Sequence, residues 1–163
     1  MLLQALTTLA LLAAPADTAV LRDIEVAPGE TLRTTSVGAG EPLVLIPGLF
    51  GAAFGFRAII PALVAQGYRC IVVEPLGYGW SSRPKRADYS FSAQTDRVGK
   101  ALDSLVGAVT HAAEVPHEER ELLRDRLVDF SADSVSGSGQ YIQEEQPEAV
   151  VAAVARLREA AGN

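Results

Sequence analysis

The stretch PLVLIPGLFGAAFGFRAIIPALVAQGYRCIVVE, residues 42–74, decides the fold class of this chain. It begins and ends with continuous apolar runs, PLVLIP (42–47) and YRCIVVE (68–74), which are typical of strands buried on both faces of a sheet. Between them, FRAIIPALVAQG has helical apolar spacing and ends at Gly67, a stop signal for a helix. A strand, a helix and a second strand in this order predict a right-handed parallel α/β unit.

The segments on either side extend this unit. VLRDIEV (20–26) and TLRTTSV (31–37) alternate partially and are separated by a Pro-Gly turn signal at 28–29, which predicts a hairpin. The other predicted elements are a helix over 90–106 capped by Ser90 or Ser92, a strand over 105–109, a helix over 116–127, a strand over 128–135 and a closing helix over 142–160.

These elements predict the α/β class, with an open, mostly parallel sheet and helices on both faces. We expect LVGAV (105–109) to lie beside PLVLIP and VDFSADSV (128–135) to lie next to it at the edge. The predicted order across the sheet is therefore the hairpin, YRCIVVE, PLVLIP, LVGAV and VDFSADSV.

Composition and charge narrow the classes of function. The 163 residues are enough for one domain with its own core, and the formal net charge is −6. This charge argues against non-specific nucleic-acid binding, because phosphate contacts need clustered Lys and Arg. Cys70 is the sole cysteine, so neither an intrachain disulfide nor a cysteine metal cage can form. We expect no metal and no cofactor.

The first 16 residues, MLLQALTTLALLAAPA, are an apolar leader with an A-x-A-like end at 14–16. No Lys or Arg occurs before Arg22, so a helix packed on the domain stays open as the alternative. We expect a signal peptide over 1–16 and a single domain over 17–163. The chain would then be secreted or periplasmic, and with the packed helix it would be cytoplasmic. The leader is too short to cross a bilayer, and we expect no membrane span.

The chain resembles the α/β-hydrolase fold family at three places. The first is LVLIPGLFG (43–51), which looks like the family's segment after the third strand, where a His-Gly-x loop supplies a backbone N–H to the oxyanion hole. Pro47 replaces the His, while Gly48 and Leu49 match. The resemblance implies an oxyanion loop at Gly48 and Leu49. A plain strand-to-helix turn, which also favours Gly, is the alternative.

The second place is IVVEPLGYGWSSRP (71–84), which is similar to the family's fourth strand and the loop after it, D-x-x-G-x-G-x-S-x-x-P. Glu74 stands where the family has Asp. The resemblance implies that this loop forms a pocket wall, through Gly77, Gly79, Trp80 and Ser81. We expect Ser81 and Ser82 to be turn residues and not nucleophiles. Trp80 either lines a pocket or covers the core.

The third place is SVSGSGQYIQEEQPEAV (134–150), which is similar to the family's C-terminal corner. There, a final strand leads to Gly-x-Gly-His, four residues, Glu, a variable residue and Pro. Every place matches except one: Gln140 occupies the position of the catalytic His. A carboxamide does not titrate near neutral pH, so Gln140 cannot act as the general base of a Ser-His-Asp triad.

A second departure concerns the nucleophile. The family's G-x-S-x-G elbow occurs nowhere in the 163 residues. After ALDSL (101–105) the sequence continues with a segment that looks like the end of the seventh strand, as an internal deletion near Leu105 would produce. Thr110, flanked by small residues, is a weak substitute nucleophile because no base is identifiable for it.

The resemblance implies an esterase-like acyl hydrolase by descent, and the two losses predict that this chain is inactive. The alternative is a non-catalytic small-molecule binding or interaction module on the same scaffold. In either case the expected ligand is a small apolar or ester molecule, and no nucleic acid is expected as a partner.

Overall fold

The computed structural model describes residues 18–105, 110–112 and 135–160. The elements in chain order are β1 (Val20–Ala27), β2 (Glu30–Val37), β3 (Glu41–Leu45), a 3-10 helix (Ala53–Phe56), α1 (Ile60–Ala65), β4 (Tyr68–Val73), α2 (Phe91–Asp103), β5 (Thr110–Ala112), α3 (Ile142–Glu145) and α4 (Pro147–Ala160). The predicted leader over 1–16, the helix over 116–127 and residues 128–134 of the predicted strand lie outside the described residues, and they stay predictions.

Within the described residues, five strands form one open sheet in the order β1-β2-β4-β3-β5. The hairpin strands β1 and β2 pair antiparallel, and β2 also pairs antiparallel with β4. β3 is parallel to both of its neighbours, β4 and β5. The predicted α/β class and the order hairpin, YRCIVVE, PLVLIP are confirmed. The described sheet is mixed, because the hairpin joins its parallel part through an antiparallel pairing.

Side chains of the two central strands alternate between two hydrophobic cores, as the period of two in a strand requires. Leu43 and Cys70, which are partners in the β3–β4 register, face one core, where they pack with Leu63 of α1. Val44 and Ile71, the next pair along, face the other core, where Val98 of α2 packs. Helices therefore cover both faces of the sheet, as predicted.

The hairpin turn confirms the Pro-Gly signal. Ala27 pairs with Glu30 across a two-residue turn, and Gly29 has φ +74°, which an L side chain adopts only with strain. The predicted cap of α2 is also confirmed, because the Ser90 hydroxyl accepts a hydrogen bond from the Ala93 N–H.

The hairpin and α2 are joined by an ion pair. The Arg97 guanidinium donates to both carboxylate oxygens of Glu30, at 2.6 and 2.9 Å, and to the Asp88 carbonyl. A bidentate pair of this kind fixes both distance and orientation. It therefore sets α2 against the outer part of the sheet.

The strand beside PLVLIP is β5, Thr110–Ala112. Of the predicted strand over 105–109, residues 106–109 lie outside the described residues, and their part of the prediction stays a prediction. Leu105 still belongs to the turn that ends α2, since its N–H donates to the Leu102 carbonyl. Thr110 lies within the strand and not on a turn after it.

Two predicted helices differ from the observed ones because of proline. The predicted helix segment FRAIIPALVAQG spans 56–67, but α1 begins only at Ile60, so Pro61 lies in its first turn, where the missing N–H costs nothing. The closing helix is two helices, because Gln146, with φ −136° and ψ 58°, interrupts it before Pro147. A proline disfavours the helical conformation in the residue before it, so Pro147 in the sequence already indicated a break at Gln146.

Candidate active site

The carboxyl ends of β3 and β4 lie side by side in the parallel part of the sheet, and each continues into one of the predicted site loops. The loop after β3 carries Gly48 and Leu49, and the loop after β4 carries Gly77, Gly79, Trp80 and Ser81. In open α/β sheets, ligands bind in the crevice outside the carboxyl ends of the strands. The topology therefore places both predicted loops at the edge where a site is expected.

The loop after β3 is a tight turn. The Gly51 N–H donates to the Gly48 carbonyl at 2.8 Å. Phe50 has φ +63°, the only non-glycine residue with positive φ among the described residues. Such a conformation costs on the order of 1–2 kcal/mol and concentrates at functional sites. Leu49 and Phe50 both expose their side chains at this turn.

The C-terminal corner contacts this turn directly. The Gln140 side chain donates a hydrogen bond from Nε2 to the Leu49 carbonyl at 3.2 Å, across 91 residues of sequence. The structure therefore brings together the predicted oxyanion loop and Gln140, the residue that the sequence resemblance puts at the position of the catalytic His. In this contact the NH₂ group of the Gln140 carboxamide is the donor and the turn supplies the acceptor.

Glu145 holds the corner in shape. Its carboxylate accepts the Gly139 N–H at 2.5 Å and the Tyr141 N–H at 3.3 Å, so it fixes the backbone on both sides of Gln140. A Cβ at Gly139 would lie 3.0 Å from this carboxylate. The sequence pattern contained both residues, but it did not indicate that Glu145 is the acceptor.

A second contact joins the corner to the 3-10 helix. Arg57 donates to the Glu144 carboxylate at 3.0 Å, and its guanidinium lies 4.0 Å from the centre of the Phe54 ring. The Arg57 side chain also donates to the Phe54 carbonyl. Sequence reasoning missed Arg57, and its helical setting offered no signal for this role.

Glu74 lies buried between the two loops. Its Oε1 accepts the Ala53 N–H and its Oε2 accepts the Trp80 N–H, each at 2.7 Å. Gly79 is at φ +43°, and a Cβ there would overlap the Glu74 carboxyl group. One side chain thus contacts the 3-10 helix that follows the Gly48–Gly51 turn and the pocket-wall loop. Gly79 is required by space as well as by conformation.

The two serines of the pocket-wall loop bond to the sheet. The Ser81 hydroxyl donates to the Glu74 carbonyl at 2.6 Å and accepts the Arg33 N–H at 2.9 Å. The Ser82 hydroxyl accepts the Thr31 N–H at 2.8 Å. Both hydroxyls are therefore engaged with the backbone of neighbouring strands.

Tyr89 and Gln94, which follow this loop in the sequence, contact its first residues, Leu76 and Gly77. Gly77 has φ +88°, and a Cβ there would lie 3.0 Å from the Tyr89 ring. The Gln94 carboxamide accepts the Leu76 N–H at 3.0 Å and donates to the Leu76 carbonyl at 2.8 Å. Sequence reasoning did not identify Gln94, since one glutamine on a helix face carries no specific signal.

A groove of about 230 Å³ opens between the turn and the corner. Its lining is mostly apolar, with a carboxamide and a carboxylate at one side: Phe50, Gly51, Ala52, Phe54, Gly55, Tyr141, Gln143 and Glu144. None of these described lining residues comes from the pocket-wall loop. The Trp80 side chain is 78% exposed, so it covers no core within the described part of the chain.

The described residues offer little for nucleophilic or metal chemistry. Burial raises the pKa of the Cys70 thiol to about 11, so it stays protonated and unreactive at neutral pH. Over the described ranges, no group of three or more His, Cys, Asp or Glu side chains could hold a metal ion. No helix in those same ranges is long and apolar enough to cross a membrane.

Comparison with known proteins identifies the fold. Residues 41–111 match the family model described as alpha/beta hydrolase fold. Lipase 1 of Psychrobacter immobilis is 35% identical over 99 residues, 52% of this chain and 31% of the relative. Lipase 3 of Moraxella sp. is 37% identical over 98 residues, 51% of this chain and 30% of the relative.

The solved structures agree. An epoxide hydrolase from Vigna radiata matches with a TM-score of 0.53 and 26% identity, covering 57% of this chain and 29% of that one. The chain thus spans about a third of the length of the relatives it matches. Over part of its length, this chain has the α/β-hydrolase fold, and its curated relatives include lipases.

Proposed function

We propose that this chain binds a small apolar or ester ligand in the groove between the Gly48–Gly51 turn and the C-terminal corner, without hydrolysing it by a serine triad. The observation that carries the proposal is the hydrogen bond from Gln140 Nε2 to the Leu49 carbonyl. In this contact an amide lies beside the turn, and the sequence resemblance expects a proton-transferring imidazole at the same residue.

The absence of hydrolysis follows from the groups that triad chemistry needs. A serine nucleophile requires a base that can take its proton, and a carboxamide does not do this near neutral pH. The 163 residues contain no G-x-S-x-G elbow. Ser81 of the pocket-wall loop is buried, and its hydroxyl already donates one hydrogen bond and accepts another.

The choice of ligand follows from the lining of the groove. Phe50 and Phe54 offer apolar surface, and Gln143 and Glu144 offer polar groups at one side. A volume of about 230 Å³ is smaller than the range of roughly 300–1,000 Å³ typical of drug-sized ligands, which favours a short-chain molecule. The relatives named as lipases support an ester as the polar part.

Binding can be tested by saturation-transfer NMR with ethyl hexanoate as the probe. We expect saturation transfer to the wild-type chain, and its loss in Phe54→Ala, because Phe54 lines the groove and is 71% exposed. Phe91→Ala is the matched control, since Phe91 is also exposed, at 59%, but does not line the groove. Equal loss in both variants, or no transfer to the wild type, contradicts the proposal.

A further inference from the structure

Glu74 is the one buried acidic side chain among the described residues, at 1% exposure, and it lies where β4 ends. Its backbone is fixed on both sides, because its N–H donates to the Arg33 carbonyl at 3.0 Å and its carbonyl accepts the Ser81 hydroxyl. The side chain therefore starts from a fixed point of the sheet. Its two oxygens accept the N–H of Ala53 in the 3-10 helix and the N–H of Trp80 in the pocket-wall loop.

The two N–H groups that Glu74 accepts belong to segments that are far apart in the sequence. The Ala53 N–H opens the 3-10 helix that follows the Gly48–Gly51 turn and carries the groove residue Phe54. The Trp80 N–H belongs to the pocket-wall loop. A carboxylate supplies acceptors only, so it satisfies both N–H groups at once, whereas a carboxamide would present a donor to one of them.

Space around the carboxylate is equally specific. A Cβ at Gly79 would overlap the Glu74 carboxyl group, so the pocket-wall loop approaches as closely as a glycine permits. A buried donor or acceptor without a partner costs free energy, so conformations that keep both hydrogen bonds to Glu74 are favoured. The Glu74 side chain therefore contacts the 3-10 helix and the pocket-wall loop at the same time.

We propose that Glu74 is a positioning residue of the candidate site, which fixes the 3-10 helix and the pocket-wall loop against each other and so sets the shape of the groove. It acts through the Ala53 and Trp80 amides and does not itself line the groove. As a role in ligand binding, this inference rests on the proposed function.

The test compares Glu74→Gln with the wild type by amide hydrogen exchange and by saturation transfer to ethyl hexanoate. We expect exchange at the Ala53 and Trp80 amides to quicken by about tenfold or more, the loss expected for a hydrogen bond to a charged acceptor. Glu74→Asp keeps two acceptor oxygens and is expected to recover part of this protection. We expect saturation transfer to weaken in Glu74→Gln.

Glu30→Gln is the matched control, because it makes the same chemical change at a hairpin carboxylate that also accepts two hydrogen bonds, from Arg97, and contacts neither the Ala53 nor the Trp80 amide. It is expected to leave the Ala53 and Trp80 amides and probe binding unchanged. Equal effects in both variants, unchanged amides in Glu74→Gln, or changed amides with unchanged binding would each overturn the positioning role.

Two further outcomes are that the wild type does not bind the probe and that Glu74→Gln does not fold. If the wild type does not bind the probe, the proposed function fails, and with it the role of Glu74 in binding. The amide exchange still decides whether Glu74 couples the loops. If Glu74→Gln does not fold, Gly79→Ala takes its place, because the added Cβ displaces the same carboxylate. Exchange is again measured at the Ala53 and Trp80 amides, and unchanged exchange overturns the proposal.

Discussion

The Gln140 carboxamide donates a hydrogen bond to the Leu49 carbonyl, 91 residues earlier in the chain. This contact joins the corner where the family resemblance expects a histidine to the turn where it expects the oxyanion loop. Glu145 holds the backbone on both sides of Gln140, so the corner keeps its geometry with a side chain that does not transfer protons.

Gln140→His is expected not to produce ester hydrolysis. An imidazole at this corner would have no elbow serine to activate, because no G-x-S-x-G occurs in the chain. Turnover of 4-nitrophenyl butyrate at pH 8 is the measurement, and Gln140→Ala is the control for unspecific hydrolysis. Phosphonate-sensitive turnover in the histidine variant, above that of the alanine variant, would show that a serine nucleophile is present after all.

A buried and an exposed leucine are expected to differ in their contribution to the free energy of unfolding. Leu63→Ala is expected to destabilise the chain by about 3 kcal/mol, because Leu63 is 0% exposed in the core between α1 and the sheet. Leu49→Ala is expected to change stability by less than about 0.5 kcal/mol, because Leu49 is 61% exposed. Urea denaturation measures both values, and a large cost for Leu49→Ala would contradict the described turn.

The Arg97–Glu30 ion pair predicts acid sensitivity. Hydrogen bonds from Arg97 hold the pKa of Glu30 below its ordinary value of 4.5 in the folded state. The unfolded chain then binds more protons, so the contribution of Glu30 is fully present above about pH 4.5 and is lost as the pH falls through the lowered folded pKa. Asp23 and Asp88, whose pKa values are also lowered, by hydrogen bonds from Arg33 and from Ser90, act in the same direction.

Urea denaturation between pH 3 and pH 6 checks this prediction. Glu30→Gln is expected to reduce the loss of stability toward acid pH. Arg97→Gln should remove the same pH-dependent component from the other side of the pair. Variants with the full wild-type pH dependence would show that the pair does not form.

Cys70 is expected to resist thiol reagents in the folded chain. It is fully buried in β4, and burial raises the pKa of its thiol to about 11, so little thiolate is present or accessible at pH 8. Reaction with Ellman's reagent should be slow in buffer and complete in 8 M urea. Since Cys70 is the sole cysteine, rapid reaction in buffer would place this strand at the surface.

The sequence predicted the centre of the fold because its signals there are local and agree with one another. PLVLIP and YRCIVVE are apolar throughout, and the Pro-Gly turn and Ser90 cap are short-range features. It did not indicate the strand at Thr110–Ala112, because a three-residue strand carries almost no periodicity. The break at Gln146 followed from Pro147 and could have been predicted.

The candidate site was predictable as a set of segments but not as contacts. The resemblance indicated Gly48, Leu49 and Gln140, yet the bond between Gln140 and Leu49 depends on how distant segments pack. The roles of Glu74 and Arg57 arise from the same long-range packing. Side-chain partners at these separations leave no periodic pattern in a single sequence.

The central claim is that this chain has no serine triad of its own, and one measurement tests it most directly. The purified 163-residue chain is incubated with a fluorophosphonate, its intact mass is recorded, and turnover of 4-nitrophenyl butyrate is measured before and after. We predict no phosphonate adduct and no phosphonate-sensitive turnover. A single stoichiometric adduct that abolishes measurable turnover would contradict the account.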